Sequence, residues 1–243
     1  AVSTSNKDFI LCGGVNIWES SNGGTNWALN AHWTGGGGQP YVHADIHYIE
    51  AQPNNTFWVG CDGGVFKTTN NGVAWTDWCH NLGIGQMYGI GCSATTSNRV
   101  ISGWQDNGTN LYANNTWDQV MGGDGMISFI DWSNNNRLFA SYYQGSLQRS
   151  TNGGGNWTDI SINTTESAPW VTPWCQDPNT ANTLYAGYEN VWRSTNSGTA
   201  WTNISSSANM GTANVKYIAV AKTSSNTIYA CKTNKIWRTT NGG

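Results

Sequence analysis

The feature that most constrains this chain is an eight-residue motif that returns along its whole length. Complete copies occupy residues 20–27, 68–75, 150–157 and 194–201, and a fifth, at 239–243, reaches the end of the chain before its tryptophan. Each complete copy reads hydroxyl residue, any residue, Asn, any residue, Gly, two further residues and Trp. A degenerate copy ends at Trp117. Copies recurring roughly every 45 residues indicate an array of one supersecondary unit.

Short apolar runs appear in the same order within each period. In one period they are residues 125–130, 137–142, 146–149 and 156–160, bounded by Gly, Asn and Ser. Short runs rich in β-branched and aromatic residues between such boundaries are typical of strands, and helical periodicity is lacking. Four strands in roughly 45 residues predict an all-β fold, a β-propeller of four-stranded antiparallel blades.

The repeat motif itself predicts a tight turn between the third and fourth strands of each blade. Asn can bind backbone two residues further on, and Gly supplies positive φ. The motif resembles the Asp-box, or BNR repeat, of sialidases, sortilin-type receptors and secreted xyloglucan-cleaving glycoside hydrolases. That resemblance covers the whole chain and implies the propeller fold. Asn stands where the family usually has Asp, so these turns carry no charge and are poor cation sites.

Counting strands predicts about six repeat units in one domain, residues 1–243, whose first and last blades are incomplete. Second-and-third-strand hairpins are expected near residues 9–20, 57–68, 100–112, 138–150, 184–194 and 228–239. First strands and fourth strands are each expected five times. Because the two ends duplicate rather than complete one another, we interpret the chain as a segment of a larger propeller and of a longer protein.

The amino-acid composition favours a secreted or cell-surface protein and is typical of a bacterial β-protein. Only 10% of residues are charged and the net charge is −3, so we expect no nucleic-acid partner. No apolar stretch is long enough to predict membrane insertion. Five of the six cysteines fall at equivalent repeat positions, Cys79 stands alone, and there is no C-x-x-C spacing. The repeat-equivalent cysteines predict small buried side chains rather than a disulfide framework or a zinc site. We expect no cofactor.

Residues that depart from the repeat pattern are the functional candidates, and these departures lie in three consecutive blades. Two departures lead into first strands and two lie in turns between second and third strands, which topology places on one propeller face. The catalytic candidates among them are Asp45, Asp106 and Asp124. The ligand-binding candidates are Trp33, Tyr41, His43, His47, Asp62, Trp104, Gln105 and Trp170.

The run His43-Ala44-Asp45-Ile46-His47 raises the question of a metal. If the run is a strand, its two histidines and Asp45 share one side. The histidines would lie roughly 13 Å apart, too far to share an ion, so a metal would need one histidine, Asp45 and a ligand from another blade. We predict no metal; a hydrogen-bonded group lining the central channel is the favoured interpretation.

Three functional classes stay open. The sialidase chemistry of the resembled family needs three arginines on a carboxylate, and Arg149, Arg193 and Arg238 lie before the repeat motif, on the wrong face. A xyloglucanase-type glycoside hydrolase would need a carboxylate pair. The predicted function is instead non-catalytic binding of a glycan or a cell-surface partner by aromatic side chains. A purely structural or adhesive surface repeat is the second alternative.

Overall fold

The computed structural model describes residues 1–80 and 85–243, and the strands in these residues form six antiparallel sheets. The chain separates into two compact units, Ala1–Ile84 and Gly85–Gly243. Sheets I and II belong to the first unit, and sheets III to VI belong to the second. The prediction of one domain over residues 1–243 stays a prediction.

Sheets I and II are built in chain order. Sheet I contains β1 (Ile10–Gly13), β2 (Ile17–Ser20) and β3 (Ala28–Ala31). Sheet II contains β4 (Ile46–Gln52), β5 (Thr56–Cys61), β6 (Gly64–Thr68) and β7 (Thr76–Asp77). A short 3₁₀ turn, Gly36–Gly38, lies between them.

The second unit repeats the same meander four times. Sheet III contains β8 (Met87–Cys92), β9 (Val100–Trp104), β10 (Gly108–Ala113) and β11 (Thr116–Met121). Sheet IV contains β12 (Phe129–Ile130), β13 (Leu138–Ser141), β14 (Leu147–Ser150) and β15 (Thr158–Asp159). Sheet V contains β16 (Trp174–Gln176), β17 (Leu184–Gly187), β18 (Val191–Ser194) and β19 (Thr202–Asn203). After a 3₁₀ turn, Ser206–Ala208, sheet VI contains β20 (Tyr217–Ala221), β21 (Ser224–Lys232) and β22 (Lys235–Thr239).

This arrangement confirms the predicted all-β fold of antiparallel blades. All six predicted hairpins form, from Ile10 paired with Ser20 in sheet I to Ile228 paired with Thr239 in sheet VI. In the described residues sheet I lacks a first strand and sheet VI lacks a fourth, as the strand count predicts. No helix in the described part of the chain is long and apolar enough to cross a membrane.

Within each unit the core lies between consecutive sheets. In the first unit one cluster contains Phe9, Leu11, Ile17, Ala31, Val42, Phe57, Val59 and Phe66. The cluster between sheets III and IV contains Ile101, Leu111, Ile130 and Leu138. Between IV and V it contains Phe139, Leu147, Ile160, Ile162, Trp174, Leu184, Ala186 and Tyr188. Between V and VI it contains Val191, Met210, Val215 and Ala230.

The repeat motif folds into one hydrogen-bonded turn, and residues 150–157 show the pattern. The buried Ser150 hydroxyl donates to Asn152 Oδ1 at 2.9 Å and accepts the Gly154 amide at 2.9 Å. Asn152 Oδ1 also accepts the Asn156 amide at 2.9 Å. Gly154 has a φ of 101°, which a residue with a Cβ would adopt only with strain. The asparagine thus acts as a double acceptor, a role that needs no negative charge.

The same bonds recur in the other copies of the motif. The hydroxyl-to-amide distance is 2.8 Å from Ser20 to Gly24, 2.9 Å from Thr68 to Gly72, and 2.8 Å from Ser194 to Gly198. The turn is therefore set by local sequence in each blade.

Two turns between first and second strands are closed by buried carboxylates. Asp131 accepts Arg137 Nη1 at 2.9 Å, and it also accepts the Ser133 hydroxyl at 2.7 Å and Gln176 Nε2 at 2.8 Å. Asp177, at the equivalent place, accepts the Ser225 hydroxyl at 2.9 Å. Each carboxylate thus joins its own sheet to the next one.

Candidate functional site

One open cavity of the second unit is lined by residues in or shortly before four first strands. It encloses about 500 Å³. Its described lining residues are Tyr88, Ile127, Pro169, Trp170, Val171, Pro173, Lys216 and Tyr217. Tyr88 belongs to β8 and Tyr217 begins β20, while the other lining residues immediately precede β12, β16 and β20. Aromatic and proline rings therefore dominate a cavity with one charged group, Lys216.

Trp170, which lines this cavity, stacks on Tyr143. The rings of Tyr143 and Trp170 are 4.6 Å apart between centroids, with an angle of 7° between their planes. Tyr143 is 42% exposed and Trp170 is 43% exposed, although each covers a face of the other. Large flat apolar surfaces left open in this way are typical of ligand sites rather than of cores.

The segment that carries Trp170 is fixed to the turn that carries Tyr143. The buried Thr172 hydroxyl accepts the Gly145 amide at 2.8 Å and donates to the Pro169 carbonyl at 3.2 Å. Tyr188 donates its hydroxyl to the Gly145 carbonyl at 2.5 Å. Burial raises the pKa of Tyr188 to about 12, so its hydroxyl stays protonated and remains a donor. The aromatic pair is therefore held rigidly from sheet V.

Two tyrosines in different settings also line the cavity. Tyr217 is 74% exposed at the start of β20. Tyr88 is half-buried, and its hydroxyl donates to Gln105 Oε1 at 2.9 Å. Gln105, a predicted ligand-binding residue, thus lies behind a cavity tyrosine. Trp170 is the predicted residue that lines the cavity directly.

The other predicted residues of the second unit gather around one turn. The Asp106 amide donates to Asp124 Oδ1 at 3.0 Å, and Asp106 has a left-handed φ of 61°. Trp104 is half-buried, with its ring 5.9 Å from that of Trp117. The predicted proximity of Asp106 and Asp124 is therefore observed, and one bond of Asp124 stabilises the turn between β9 and β10.

In the first unit, His47 pairs with Asp62, and the pair is partly open to solvent. The predicted alternation of His43, Asp45 and His47 along a strand is wrong. β4 begins only at Ile46, and Asp45 has a left-handed φ of 60°, so the three residues do not lie on one extended strand. No metal-binding group of three or more His, Cys, Asp or Glu occurs in the part of the chain that is described.

Two predicted aromatic residues of the first unit are exposed beside the same loop. Trp33 is 49% exposed with its ring stacked near that of His32, at 6.3 Å between centroids. Tyr41 is 48% exposed and packs edge-on to Phe66 at 5.8 Å. Partial burial, together with nearby acidic groups, raises the pKa of Tyr41. Both rings belong to the first unit and neither lines the cavity of the second.

Sequence reasoning missed Tyr88, Tyr143, Lys216 and Tyr217. Tyr88, Lys216 and Tyr217 lie in or next to first strands. In an alternating strand sequence, such residues cannot be distinguished from ordinary core positions. A usable signal exists in the sequence, because Tyr88 and Tyr217 are the second and the first residue of the first strands of two different repeats.

Comparisons with known proteins give a likeness of structure only. The sequence matches no protein-family model and no curated protein. An ancestral GH74 enzyme is 20% identical with a TM-score of 0.49, covering 81% of this chain and 31% of that one. The GH74 xyloglucanase from Xanthomonas campestris is 15% identical with a TM-score of 0.49, covering 99% and 44%. YCF48 from Cyanidioschyzon merolae is 11% identical with a TM-score of 0.49, covering 100% and 81%.

This chain spans less than half the length of the two GH74 enzymes. At these identities and TM-scores the likeness carries no argument about ligand or activity. The Asp-box resemblance therefore stays a prediction from the sequence.

Proposed function

We propose that this chain is a non-catalytic binding module, secreted or displayed at a cell surface, whose cavity binds a glycan. The observation that carries the proposal is the exposed, stacked pair of Tyr143 and Trp170, of which Trp170 lines a cavity of about 500 Å³. Sugar rings present flat C–H faces that stack on aromatic side chains, and a rigid platform binds them at little entropic cost.

The polar groups of the cavity fit a ligand rich in hydroxyl groups. Lys216 offers an ammonium donor, the Tyr217 hydroxyl offers both donor and acceptor functions, and the Tyr88 hydroxyl, which donates to Gln105, offers an acceptor. A mostly apolar cavity with a few convergent polar groups is typical of a small-ligand site. The chain's low overall charge favours a neutral glycan over an ionic ligand.

Hydrolysis in this cavity is the weaker candidate. Glycoside hydrolysis requires two carboxyl groups on either side of the scissile bond. The described residues that line the cavity include neither Asp nor Glu. Asp106 and Asp124 are the carboxylates that a hydrolytic alternative would use, and they belong to the neighbouring turn.

The test is a screen of the purified chain on neutral glycans and plant polysaccharides, followed by calorimetry on each ligand found. We expect Trp170→Ala and Tyr217→Ala each to weaken binding about 30-fold, the effect of removing about 2 kcal/mol. Tyr229→Ala is the matched control, since Tyr229 is 42% exposed in sheet VI and does not line the cavity.

Unchanged affinity in both cavity variants would refute the site. Product release that stops in Asp106→Asn or Asp124→Asn, with binding retained, would instead establish an enzyme.

A further inference from the structure

The loop that follows β3 is closed around the imidazole of His32. His32 Nδ1 accepts the backbone amide of Thr34 at 3.1 Å and that of Gly36 at 3.3 Å. The Thr34 hydroxyl lies 2.9 Å from the same nitrogen. A Cβ on Gly36 would lie 3.3 Å from Nδ1, so the backbone packs directly against the ring. One ring nitrogen thus organises the turn at residues 34–38.

These contacts fix the protonation state of His32. A backbone amide can only donate, so Nδ1 is an unprotonated acceptor and the hydrogen of the neutral ring is on Nε2. Because Nε2 already carries its hydrogen, a second proton can be added only at Nδ1. There it would remove the acceptor and face two amide hydrogens. A protonated His32 is therefore incompatible with the closed turn.

The closed turn has a high entropic cost, because it is made mainly of glycine. Residues Gly36–Gly38 form the 3₁₀ turn, and the residue before them, Gly35, has a left-handed φ of 67° and provides no side-chain cap. Two backbone bonds also hold the turn, from the Gly35 amide to the His32 carbonyl at 2.9 Å and from the Gln39 amide to the Gly36 carbonyl at 3.3 Å. Glycine loses more conformational freedom on ordering than any other residue, so losing the bonds to Nδ1 favours the open loop.

The base of the loop is anchored without the imidazole. The His32 amide donates to the Pro40 carbonyl at 2.9 Å, and the Trp33 amide donates to Asn16 Oδ1 at 2.9 Å. His32 and Tyr41 also form a β-bridge. Opening is therefore confined to the residues between Trp33 and Tyr41, whose side chains are 49% and 48% exposed.

The groups in contact with the imidazole are uncharged: Thr34, Gly36 and the ring of Trp33, 6.3 Å away between centroids. The titratable side chains on the adjoining strands and on the segment after the loop are Cys12, Glu19, Tyr41, His43 and Asp45. Glu19 accepts Asn30 Nδ2 at 2.6 Å, and partial burial raises the pKa of Tyr41. In mildly acidic solution Tyr41 is therefore neutral, and His32 and His43 are the side chains of this group that gain positive charge.

We propose that His32 is a proton-controlled latch for the loop at residues 33–41. The neutral imidazole holds the turn closed, and protonation in mildly acidic solution releases it. The exposed rings of Trp33 and Tyr41, at the two ends of the loop, are then presented differently at neutral and at acidic pH. This switch belongs to the first unit and does not depend on the glycan cavity.

The test measures hydrogen exchange of the Thr34 and Gly36 amides by NMR of the whole chain, as protection relative to an unstructured peptide at the same pH. We expect the protection of both amides to fall roughly ten-fold from about pH 7.5 to about pH 5, the range in which a histidine gains its proton. The Trp33 amide, which Asn16 anchors, should keep its protection.

Three variants separate the latch from a general effect of acid. In His32→Asn the side-chain Oδ1 takes the place of Nδ1 and cannot gain a proton, so the turn should stay closed at both pH values. His32→Phe keeps a ring without an acceptor and should show low protection at both. His47→Asn, at a histidine that pairs with Asp62, should leave the pH response unchanged. Constant protection in the parent chain, or the same fall in His32→Asn, would overturn the proposal.

Discussion

Removing one hydroxyl from a repeat motif tests whether these turns stabilise the fold. Ser150 is fully buried, and its Oγ makes three contacts: it donates to Asn152 Oδ1 at 2.9 Å and accepts the amides of Gly154 at 2.9 Å and Asn152 at 3.3 Å. Ser150→Ala removes all three and leaves the Gly154 amide buried without an acceptor. An unsatisfied buried donor costs about 1–3 kcal/mol, and the lost hydroxyl bond about 1 kcal/mol more.

The expected loss is therefore about 2–4 kcal/mol of unfolding free energy. For a unit of this size each kcal/mol lowers the unfolding midpoint by roughly 2–4 °C. Urea denaturation followed by circular dichroism should show a lower midpoint with an unchanged slope, since the surface exposed on unfolding stays the same.

Two further variants sharpen this experiment, one at Ser150 and one at Thr239, the equivalent hydroxyl residue of the fifth motif copy. Ser150→Thr keeps the hydroxyl and should cost less than about 1 kcal/mol, because Thr68 makes the same amide bond at 2.9 Å. Thr239→Ala removes an equivalent hydroxyl whose bonds are exposed to water, so it should cost about 0.5–1 kcal/mol. A Ser150→Ala midpoint within error of the parent, or equal losses for Ser150→Ala and Ser150→Thr, would refute the reasoning.

Three further predictions concern buried groups. Asp131→Asn should cost about 3 kcal/mol in urea denaturation, since it breaks a buried ion pair, whereas Asp118→Asn on the exposed face of β11 should be neutral. Burial raises the pKa of Tyr185 to about 12, so the unfolded chain loses this proton first, and stability should fall by up to about 2 kcal/mol from pH 10 to 12, with a flatter profile in Tyr185→Phe. Gly103→Ala should cost about 3 kcal/mol or prevent folding, because a Cβ there overlaps the Met126 carbonyl; an unchanged denaturation midpoint would contradict this packing.

The fold could be predicted from the sequence because its information is local and repeated. Residues 20–27 or 150–157 specify a turn by themselves, through a hydroxyl, an asparagine and a glycine at fixed spacing. The strands around them follow from short apolar runs between turn residues, so the lack of a first strand in sheet I and of a fourth strand in sheet VI could be counted. Conformations that depart from the repeat are less predictable: Asp45 adopts a left-handed φ that alternation cannot indicate.

The candidate site was only partly predictable because it depends on contacts between repeats. Trp170 is a predicted residue, but its stacking partner, Tyr143, lies in the turn of a different blade. The sequence gives no distance between those two positions; the hydroxyls of Thr172 and Tyr188 bring them together. A search for acidic residues beside glycine finds Asp106 and Asp124, yet the observed bond between them maintains a turn.

Residues that follow the repeat pattern and residues that depart from it therefore have different physical roles. Motif tryptophans such as Trp157 and Trp201 pack against the core clusters between sheets, and their Nε1 groups donate to a carbonyl of the preceding sheet or of the residue just after it. Trp170 lies outside the motif and keeps 43% of its surface open, because its segment is fixed by Thr172 and not by the indole itself. Since its ring is not required to hold the sheets together, Trp170→Ala should change binding while leaving the unfolding midpoint nearly unchanged. The same substitution at Trp201 should do the reverse, and a shared effect on both properties would mean that the cavity is part of the core.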